Sequence, residues 1–280
     1  MADNEKQNSM NMAPIGVFDS GRGGLTVARE ILRQLPNEKI VYFGDTARVP
    51  YGSKSKETVI RYSRQIVRFL LTKNVKAIVI ACNTASAFAL EELKREFDIP
   101  IIGVIRPGAK AAVGNTVTKR IGVIGTEGTI RSAIYSEVIH EYDREAIVLG
   151  KACPLFVSLV EEGWLHDTVT DEVAGRYLSE FKNRDIDTLI MGCTHYPLLR
   201  STIMKTMGED VFLVNPAYET AASLKRLLDK NGIASKADLI PKPEMYDYYV
   251  SDAPGKFIEF ARSIMPIEIE TAAQINIEKY

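Results

Sequence analysis

Short runs of apolar, mostly β-branched residues alternate along the chain with longer segments in which apolar positions recur at helical spacing. The runs expected to form buried strands are 15–18, 40–43, 77–80, 101–104, 121–124, 147–149, 188–191 and 211–214. The segments with helical spacing are 24–35, 54–72, 84–96, 108–113, 128–141, 168–182 and 197–206. Continuous hydrophobicity is typical of parallel strands covered on both faces. The alternation therefore predicts an α/β protein with doubly wound, mainly parallel sheets.

The chain also repeats its plan once. Ile15-Gly16-Val17 comes before a strand that ends in Cys82-Asn83-Thr84, and Ile121-Gly122-Val123 comes before one that ends in Cys193-Thr194. This repeat predicts two related α/β domains.

The expected domains are 13–104 together with 216–280, and 105–215. Pro107-Gly108 and Asn215-Pro216 are turn signals that fit the crossings between them. After residue 216 we expect helices and a strand over 246–250. Residues 1–12 are polar and are expected to form a disordered tail.

Charge and composition narrow the classes of function. The 35 basic and 36 acidic residues give a net charge of −1, whereas general binders of nucleic acid or of membrane surfaces need a basic excess. Three cysteines are too few for a disulfide framework, so a reducing compartment is expected. The polar start lacks the apolar core of a signal peptide, and the longest apolar run, 77–82, is too short to span a bilayer. A cytoplasmic location without membrane contact is therefore expected.

Two cysteines stand where an α/β sheet binds ligands. Cys82 and Cys193 each follow an apolar strand and precede a helical segment, so they are expected at the carboxyl ends of strands. The helix that follows would lower the pKa of a thiol and attract a carboxylate. A single buried cysteine is more often a small apolar core residue, but two in matched contexts favour a function. Cys153 lacks a polar neighbour on its C-terminal side and is interpreted as structural.

Other candidate sites are weaker. No C-x-x-C motif occurs, and we expect no metal site. The glycine-rich turns at 21–26 and 122–128 both miss the dinucleotide fingerprint, and no phosphate loop is present. The need for a tight turn explains Gly23 and Gly24, but it does not explain Asp19-Ser20 at the strand tip. His195 lies two residues after Cys193 and is a candidate for proton relay or for orienting the thiol.

Several blocks together resemble the glutamate racemases of the aspartate/glutamate racemase superfamily. They are Asp19-Ser20-Gly21-x-Gly23-Gly24-Leu25, Gly44-Asp45-Thr46-Ala47-Arg48-x-Pro50-Tyr51-Gly52, Ala81-Cys82-Asn83-Thr84-Ala85, Gly122-Val123-Ile124-Gly125-Thr126 and Gly192-Cys193-Thr194-His195-Tyr196-Pro197. They occur in family order between residue 15 and about residue 200. The combination is specific to the family, although each block alone is not.

The resemblance implies two domains related by a pseudo-twofold axis, with the active site in the cleft between them. It implies interconversion of L- and D-glutamate without a cofactor, which supplies D-glutamate for peptidoglycan. Cys82 and Cys193 would be the catalytic bases, assisted by Asp19 and His195 respectively. Glu161, or its neighbour Glu162, would be a further acidic group. The expected substrate-binding residues are Asp19, Ser20, Tyr51, Gly52, Asn83, Thr84, Thr126 and Thr194.

The chemistry agrees with that implication. Racemisation removes a proton from one face of the α-carbon and returns one to the other face, and a thiol can serve as base and as acid. The resemblance also implies a homodimer and, as in some relatives, a DNA gyrase contact. Three alternatives remain: a racemase of aspartate or another acidic amino acid, a noncatalytic binding protein of the same fold, and a nucleotide-dependent oxidoreductase.

Overall fold

The strands of the computed structural model, which describes residues 11–236 and 242–280, form two parallel sheets. The strands are β1 Ile15–Asp19, β2 Ile40–Gly44, β3 Ala77–Ile80, β4 Ile101–Gly103, β5 Arg120–Gly125, β6 Ile147–Ala152, β7 Thr188–Gly192, β8 Phe212–Val214, β9 Tyr246–Val250 and β10 Ala273–Gln274. The first sheet has the order β10-β9-β2-β1-β3-β4, and the second has the order β6-β5-β7-β8. All neighbouring strands run parallel, so the predicted fold class is confirmed.

Helices connect the successive strands, and those over Ile105–Asn115 and Pro216–Lys230 lie where the chain passes from one sheet to the other. They are α1 Leu25–Gln34, α2 Lys56–Leu71, α3 Asn83–Glu96, α4 Ile105–Asn115, α5 Glu127–Arg131, α6 Ile134–Tyr142, α7 Leu155–Glu161, α8 Thr168–Leu178, α9 Arg200–Met207, α10 Pro216–Lys230 and α11 Pro254–Ile264. In the part of the chain that the structure describes, none has the length and apolar character needed to cross a membrane.

The two sheets place their cysteines equivalently. In the first sheet, β1 lies between β2 and β3, and Cys82 follows β3 after one residue. In the second, β5 lies between β6 and β7, and Cys193 directly follows β7. The predicted repeat therefore corresponds to a shared strand order. In each sheet, the cysteine follows the strand that pairs with the first strand of that sheet, β1 or β5. The predicted strand over 246–250 is β9, which pairs with β2.

Several local predictions were wrong. Pro107-Gly108 lies inside α4, where a proline in the first turn costs no hydrogen bond. Asn215-Pro216, by contrast, lies where the chain leaves β8 and begins α10, and the Asn215 side chain caps that helix by accepting the Ala217 N–H at 3.1 Å. The segment 128–141 is two helices separated at Ala133, whose φ is +56°.

Two runs predicted as buried strands are partly exposed. Ile147 and Phe212 are each 46% exposed, because β6 and β8 are the edge strands of the second sheet. Residues 1–10 of the predicted disordered tail lie outside the described residues. Asn11, which also belongs to that prediction, is buried and its carbonyl accepts the Lys76 ammonium at 2.7 Å, so order is already found at this position.

Candidate active site

A cavity of about 220 Å³ is lined by residues that follow strands of both sheets. Its lining consists of Ser20, Gly21, residues 49–52, residues 82–84, Thr126, Val157, Ser158, Glu161 and residues 193–195. Ligands of parallel α/β sheets bind at such strand ends. Apart from Asp19, all the site residues expected from the sequence contribute to this lining, and both Cys82 and Cys193 are among them.

Cys82 caps the N-terminus of α3. The Ala85 N–H donates to its Sγ at 3.4 Å, and its thiol lies 3.6 Å from the Ser20 hydroxyl oxygen. Burial, together with the negative charge of Asp19, raises the pKa of Cys82 to about 12, although the two hydrogen bonds act to lower it. The helix terminus therefore acts in the predicted direction but is outweighed by burial. Without substrate, this thiol keeps its proton at neutral pH.

Cys193 is buried beside His195. Its Sγ lies 3.8 Å from Nδ1 of the imidazole, and Nε2 of the same ring lies 3.2 Å from Oε1 of Glu161. Burial lowers the pKa of His195, but hydrogen bonds to Cys193 and Glu161 and the charges of both groups raise it further, to about 10. At neutral pH the ring is therefore an imidazolium with one N–H for the sulfur and one for the carboxylate.

Glu161 is the last residue of α7 and is the acidic residue of the Glu161-Glu162 pair that lines the cavity. Burial raises the pKa of Glu161, but hydrogen bonds and charges from His195 and Arg22 lower it below its ordinary value. Val157 and Ser158 lie on the same face of the helix, four and three residues earlier, and also line the cavity. Sequence reasoning missed both, although helical spacing back from Glu161 would have identified them.

Asp19 ends β1 and is fully buried behind the lining of the cavity. Its Oδ2 accepts the Gly21 N–H at 3.0 Å. Burial raises its pKa, while the charge of His195 and backbone N–H groups of the turn lower it. The negative charge of Asp19 contributes to the raised pKa of Cys82, which is its expected partner. The structure therefore places Asp19 as an electrostatic neighbour of Cys82, outside the cavity lining.

Three threonine hydroxyls meet in the cavity region. Oγ1 of Thr84 lies 2.9 Å from that of Thr126, and Oγ1 of Thr129 lies 3.0 Å from that of Thr126. Gly52 packs against the same residue, since a Cβ at position 52 would lie 2.6 Å from the Thr126 Cβ. These contacts join loops that follow strands of different sheets.

Tyr51 and Gly23 act differently from what the sequence suggested. Tyr51 lines the cavity, but its hydroxyl already donates to Asp45. A Cβ at Gly23 would lie 2.4 Å from the Thr194 hydroxyl oxygen and 2.5 Å from the His195 ring. Glycine at this position therefore permits the turn after β1 to approach Thr194 and His195 closely. The need for a tight turn alone does not explain this contact.

Two further contacts escaped sequence reasoning because they join distant parts of the chain. The Tyr135 hydroxyl donates to Oδ1 of Asn83 at 2.7 Å, and the Arg22 guanidinium donates to Oε2 of Glu161 at 2.9 Å. No short motif links either pair. Among the described residues, no group of three or more His, Cys, Asp or Glu side chains is arranged to hold a metal ion.

Comparisons with known proteins agree with this arrangement. The Asp/Glu/Hydantoin racemase family model matches residues 15–224. The glutamate racemases of Oceanobacillus iheyensis and Geobacter metallireducens are each 48% identical to the chain, cover 94% of it, and are themselves covered over 96% and 97% of their lengths. A crystal structure of Francisella tularensis glutamate racemase in complex with D-glutamate has a TM-score of 0.89 at 38% identity, covering 96% of this chain and 100% of that one. The chain therefore belongs to the Asp/Glu/Hydantoin racemase family of isomerases, among the glutamate racemases.

Proposed function

We propose that the protein interconverts L- and D-glutamate without a cofactor, using Cys82 and Cys193 as a pair of proton carriers on opposite faces of the α-carbon. The observation that carries this proposal is that the two thiols follow equivalent strands of two sheets and line one cavity. The volume of about 220 Å³ suits a small amino acid.

The reaction needs one deprotonated and one protonated sulfur. The thiolate of Cys193 takes the α-proton of L-glutamate, and the thiol of Cys82 gives its proton to the opposite face of the planar carbanion. The raised pKa of Cys82 keeps it protonated for this step. For D-glutamate the roles reverse, and the substrate ammonium would favour the Cys82 thiolate by placing a positive charge beside it.

Polar groups around the cavity would hold the substrate. Asn83, Thr84, Thr126 and Thr194 offer amide and hydroxyl groups for the two carboxylates, and Ser20 lies beside Cys82. Fixed donors in a water-poor cavity stabilise the charge that develops on the α-carboxylate as the proton leaves. In this proposal Asp19 tunes Cys82, while His195 and Glu161 tune Cys193.

The decisive measurement is chiral chromatography of L-glutamate incubated with purified, exhaustively dialysed protein. We expect an equal mixture of enantiomers, and the same result from D-glutamate. Absence of inversion would refute the proposal in favour of a noncatalytic binding protein. Loss of activity on dialysis, with recovery on adding a nucleotide, would instead favour the oxidoreductase alternative.

Aspartate tests the choice of substrate within the family. A panel of acidic L-amino acids, each followed by chiral chromatography, should show the highest kcat/KM for glutamate. Faster inversion of aspartate would overturn the assignment to glutamate while leaving the two-thiol mechanism in place.

The cellular setting that we propose follows from the same assignment. The protein would supply D-glutamate for peptidoglycan from a cytoplasmic location, and it would act as a homodimer. Analytical ultracentrifugation tests the dimer. A pull-down with purified DNA gyrase tests the gyrase contact implied by the resemblance.

A further inference from the structure

Arg22 lies in the glycine-rich turn after β1, and its guanidinium contacts two distant parts of the chain. Nη2 donates to Oε2 of Glu161 at 2.9 Å, and Cζ lies 5.7 Å from the centroid of the Phe260 ring on α11. The Arg22 and Glu161 side chains are only 23% and 25% exposed. Solvent therefore screens this ion pair less than it screens a fully exposed pair.

The two oxygens of Glu161 have different partners. Oε2 accepts from Arg22, whereas Oε1 lies 3.2 Å from Nε2 of His195, whose Nδ1 faces the Cys193 sulfur at 3.8 Å. A carboxylate bound at both oxygens has a fixed plane, and it fixes the ring that it contacts. Phe260 also flanks His195, with the ring centroids 6.3 Å apart.

Glu161 needs such a restraint because it has space to move. It is the last residue of α7, and besides the candidate active site it also borders a neighbouring cavity of about 550 Å³. Arg22 and Phe260 line that second cavity too. Without the guanidinium, the Glu161 carboxylate could rotate away from His195 into this space.

We propose that Arg22 is a positioning residue for the Cys193 half of the reaction, because it holds Glu161 and thereby orients the His195 imidazolium toward the Cys193 sulfur. This inference rests on the proposed racemase function. In the part of the chain that the structure describes, the Cys82 sulfur instead contacts the Ser20 hydroxyl and the Ala85 N–H, and Arg22 does not contact it. A change at Arg22 should therefore affect one proton transfer and not the other.

Thermodynamics decides which measurement can show this asymmetry. L- and D-glutamate have equal free energies, so the ratio of kcat/KM in the two directions equals one in any variant. Arg22→Met should lower both values together, by about tenfold to a hundredfold, which is the usual effect of losing a hydrogen bond between charged groups. Methionine keeps the unbranched stem over Phe260 and removes the charge. Arg22→Lys should restore part of the loss.

Primary isotope effects on kcat/KM with 2-deuterated substrates resolve the two halves. When transfer to Cys193 becomes slower, the isotope effect rises with the enantiomer that Cys193 deprotonates and falls with the other. His195→Gln supplies the internal reference for the sign of that change. We expect Arg22→Met to shift both isotope effects in the same sense as His195→Gln. Unchanged isotope effects, or a shift in the opposite sense, would overturn the inference.

A double-mutant cycle tests whether Arg22 acts through Glu161. If it does, Arg22→Met should change kcat/KM by less than about twofold in a Glu161→Gln background. Effects that multiply would show that Arg22 acts independently and would refute the inference.

Arg33→Met is the matched control, because Arg33 also pairs with a glutamate, Glu30, and lies over the Tyr218 ring, outside the cavity lining. If the wild-type protein is inactive on glutamate, the proposed function itself is refuted. If the wild type is active but the effects of the two substitutions on kcat/KM multiply, only the role of Arg22 is refuted.

Discussion

The hydroxyl of Tyr135 lies 2.7 Å from the amide oxygen of Asn83, and this bond joins α6 to the first residue of α3. Both side chains are buried. Burial raises the pKa of Tyr135, so its hydroxyl remains a donor at neutral pH. Because Oδ1 of Asn83 accepts this hydrogen bond and Asn83 lines the cavity, we expect the amide N–H groups to be the donors that bind a substrate carboxylate.

Tyr135→Phe should therefore weaken substrate binding more than it slows the chemistry. Loss of one neutral hydrogen bond predicts a rise of about fivefold in KM for glutamate, with a smaller change in kcat. Steady-state kinetics with both enantiomers would measure this. A lower kcat with an unchanged KM would contradict a role in orienting Asn83.

Cys82→Ala and Cys193→Ala should each lower racemisation by about 10³-fold or more, because each removes one of the two proton carriers. Cys153→Ala is the matched control, since Cys153 is also buried but lies outside the cavity lining. It should retain activity and lose about 1 kcal/mol of stability. Chiral chromatography and thermal unfolding of all three variants provide the comparison. Substantial inversion by either of the first two would contradict the two-thiol mechanism.

Solvent isotope incorporation gives an independent test of two bases. In deuterated water and under single-turnover conditions, the product enantiomer should carry deuterium before the remaining substrate does, because a second sulfur delivers the new proton. Mass spectrometry of the separated enantiomers would measure the label. Equal labelling of both from the earliest times would indicate one shared base.

His195→Gln should change how stability depends on pH. The pKa of His195 is about 10 in the folded protein against an ordinary value of 6.5, so the folded state binds this proton more tightly than the unfolded chain. The resulting stabilisation is complete below about pH 6.5 and is lost as the pH rises to about 10. Urea denaturation should show the largest difference in free energy of unfolding between wild type and variant at and below about pH 6.5, and this difference should shrink as the pH rises toward 10. A difference independent of pH across this range would contradict the raised pKa.

Gly52→Ala should damage the site through close contact. Its Cβ would lie 2.6 Å from the Thr126 Cβ, so one of the two loops must shift. We expect kcat/KM to fall by about tenfold or more, because small displacements of binding groups cost rate. Gly114→Ala is the control: its Cβ meets nothing within 4 Å, and alanine should stabilise α4 by up to ~1 kcal/mol. Full activity in Gly52→Ala would show that the approach to Thr126 is not required.

The sequence predicted the sheets well where burial dominates. β1, β2, β3 and β7 are buried throughout, and continuous apolar runs identified them. Apolar runs also predicted the strands β6 and β8, but the expected burial was wrong for β6 and for the start of β8, because an edge strand and a central strand can carry similar residues. Proline and glycine were misleading at Pro107-Gly108, since the first turn of a helix tolerates both.

At the site, the positions of the motifs predicted which residues line the cavity. They did not predict the contacts between residues that follow strands of different sheets. Cys82, Cys193 and His195 stood at recognisable strand ends. The sequence could not show that burial outweighs the helix terminus at Cys82, because that balance depends on what packs around the sulfur. Arg22 and Tyr135 were missed because their partners lie 139 and 52 residues away, a separation that no local pattern encodes.

The shared strand order of the two sheets extends only to part of the site. The loops after β1 and β5 supply Ser20 and Thr126, and those after β3 and β7 supply the two sulfurs, whereas the loops after β2 and β6 lead to dissimilar residues, Tyr51 and Glu161. Two enantiomers are mirror images at one carbon, yet both carry the same length of side chain. Two sheets with the same strand order can thus supply matching groups for the two sides of the stereocentre, while the loops that differ between the sheets fit the groups that do not invert.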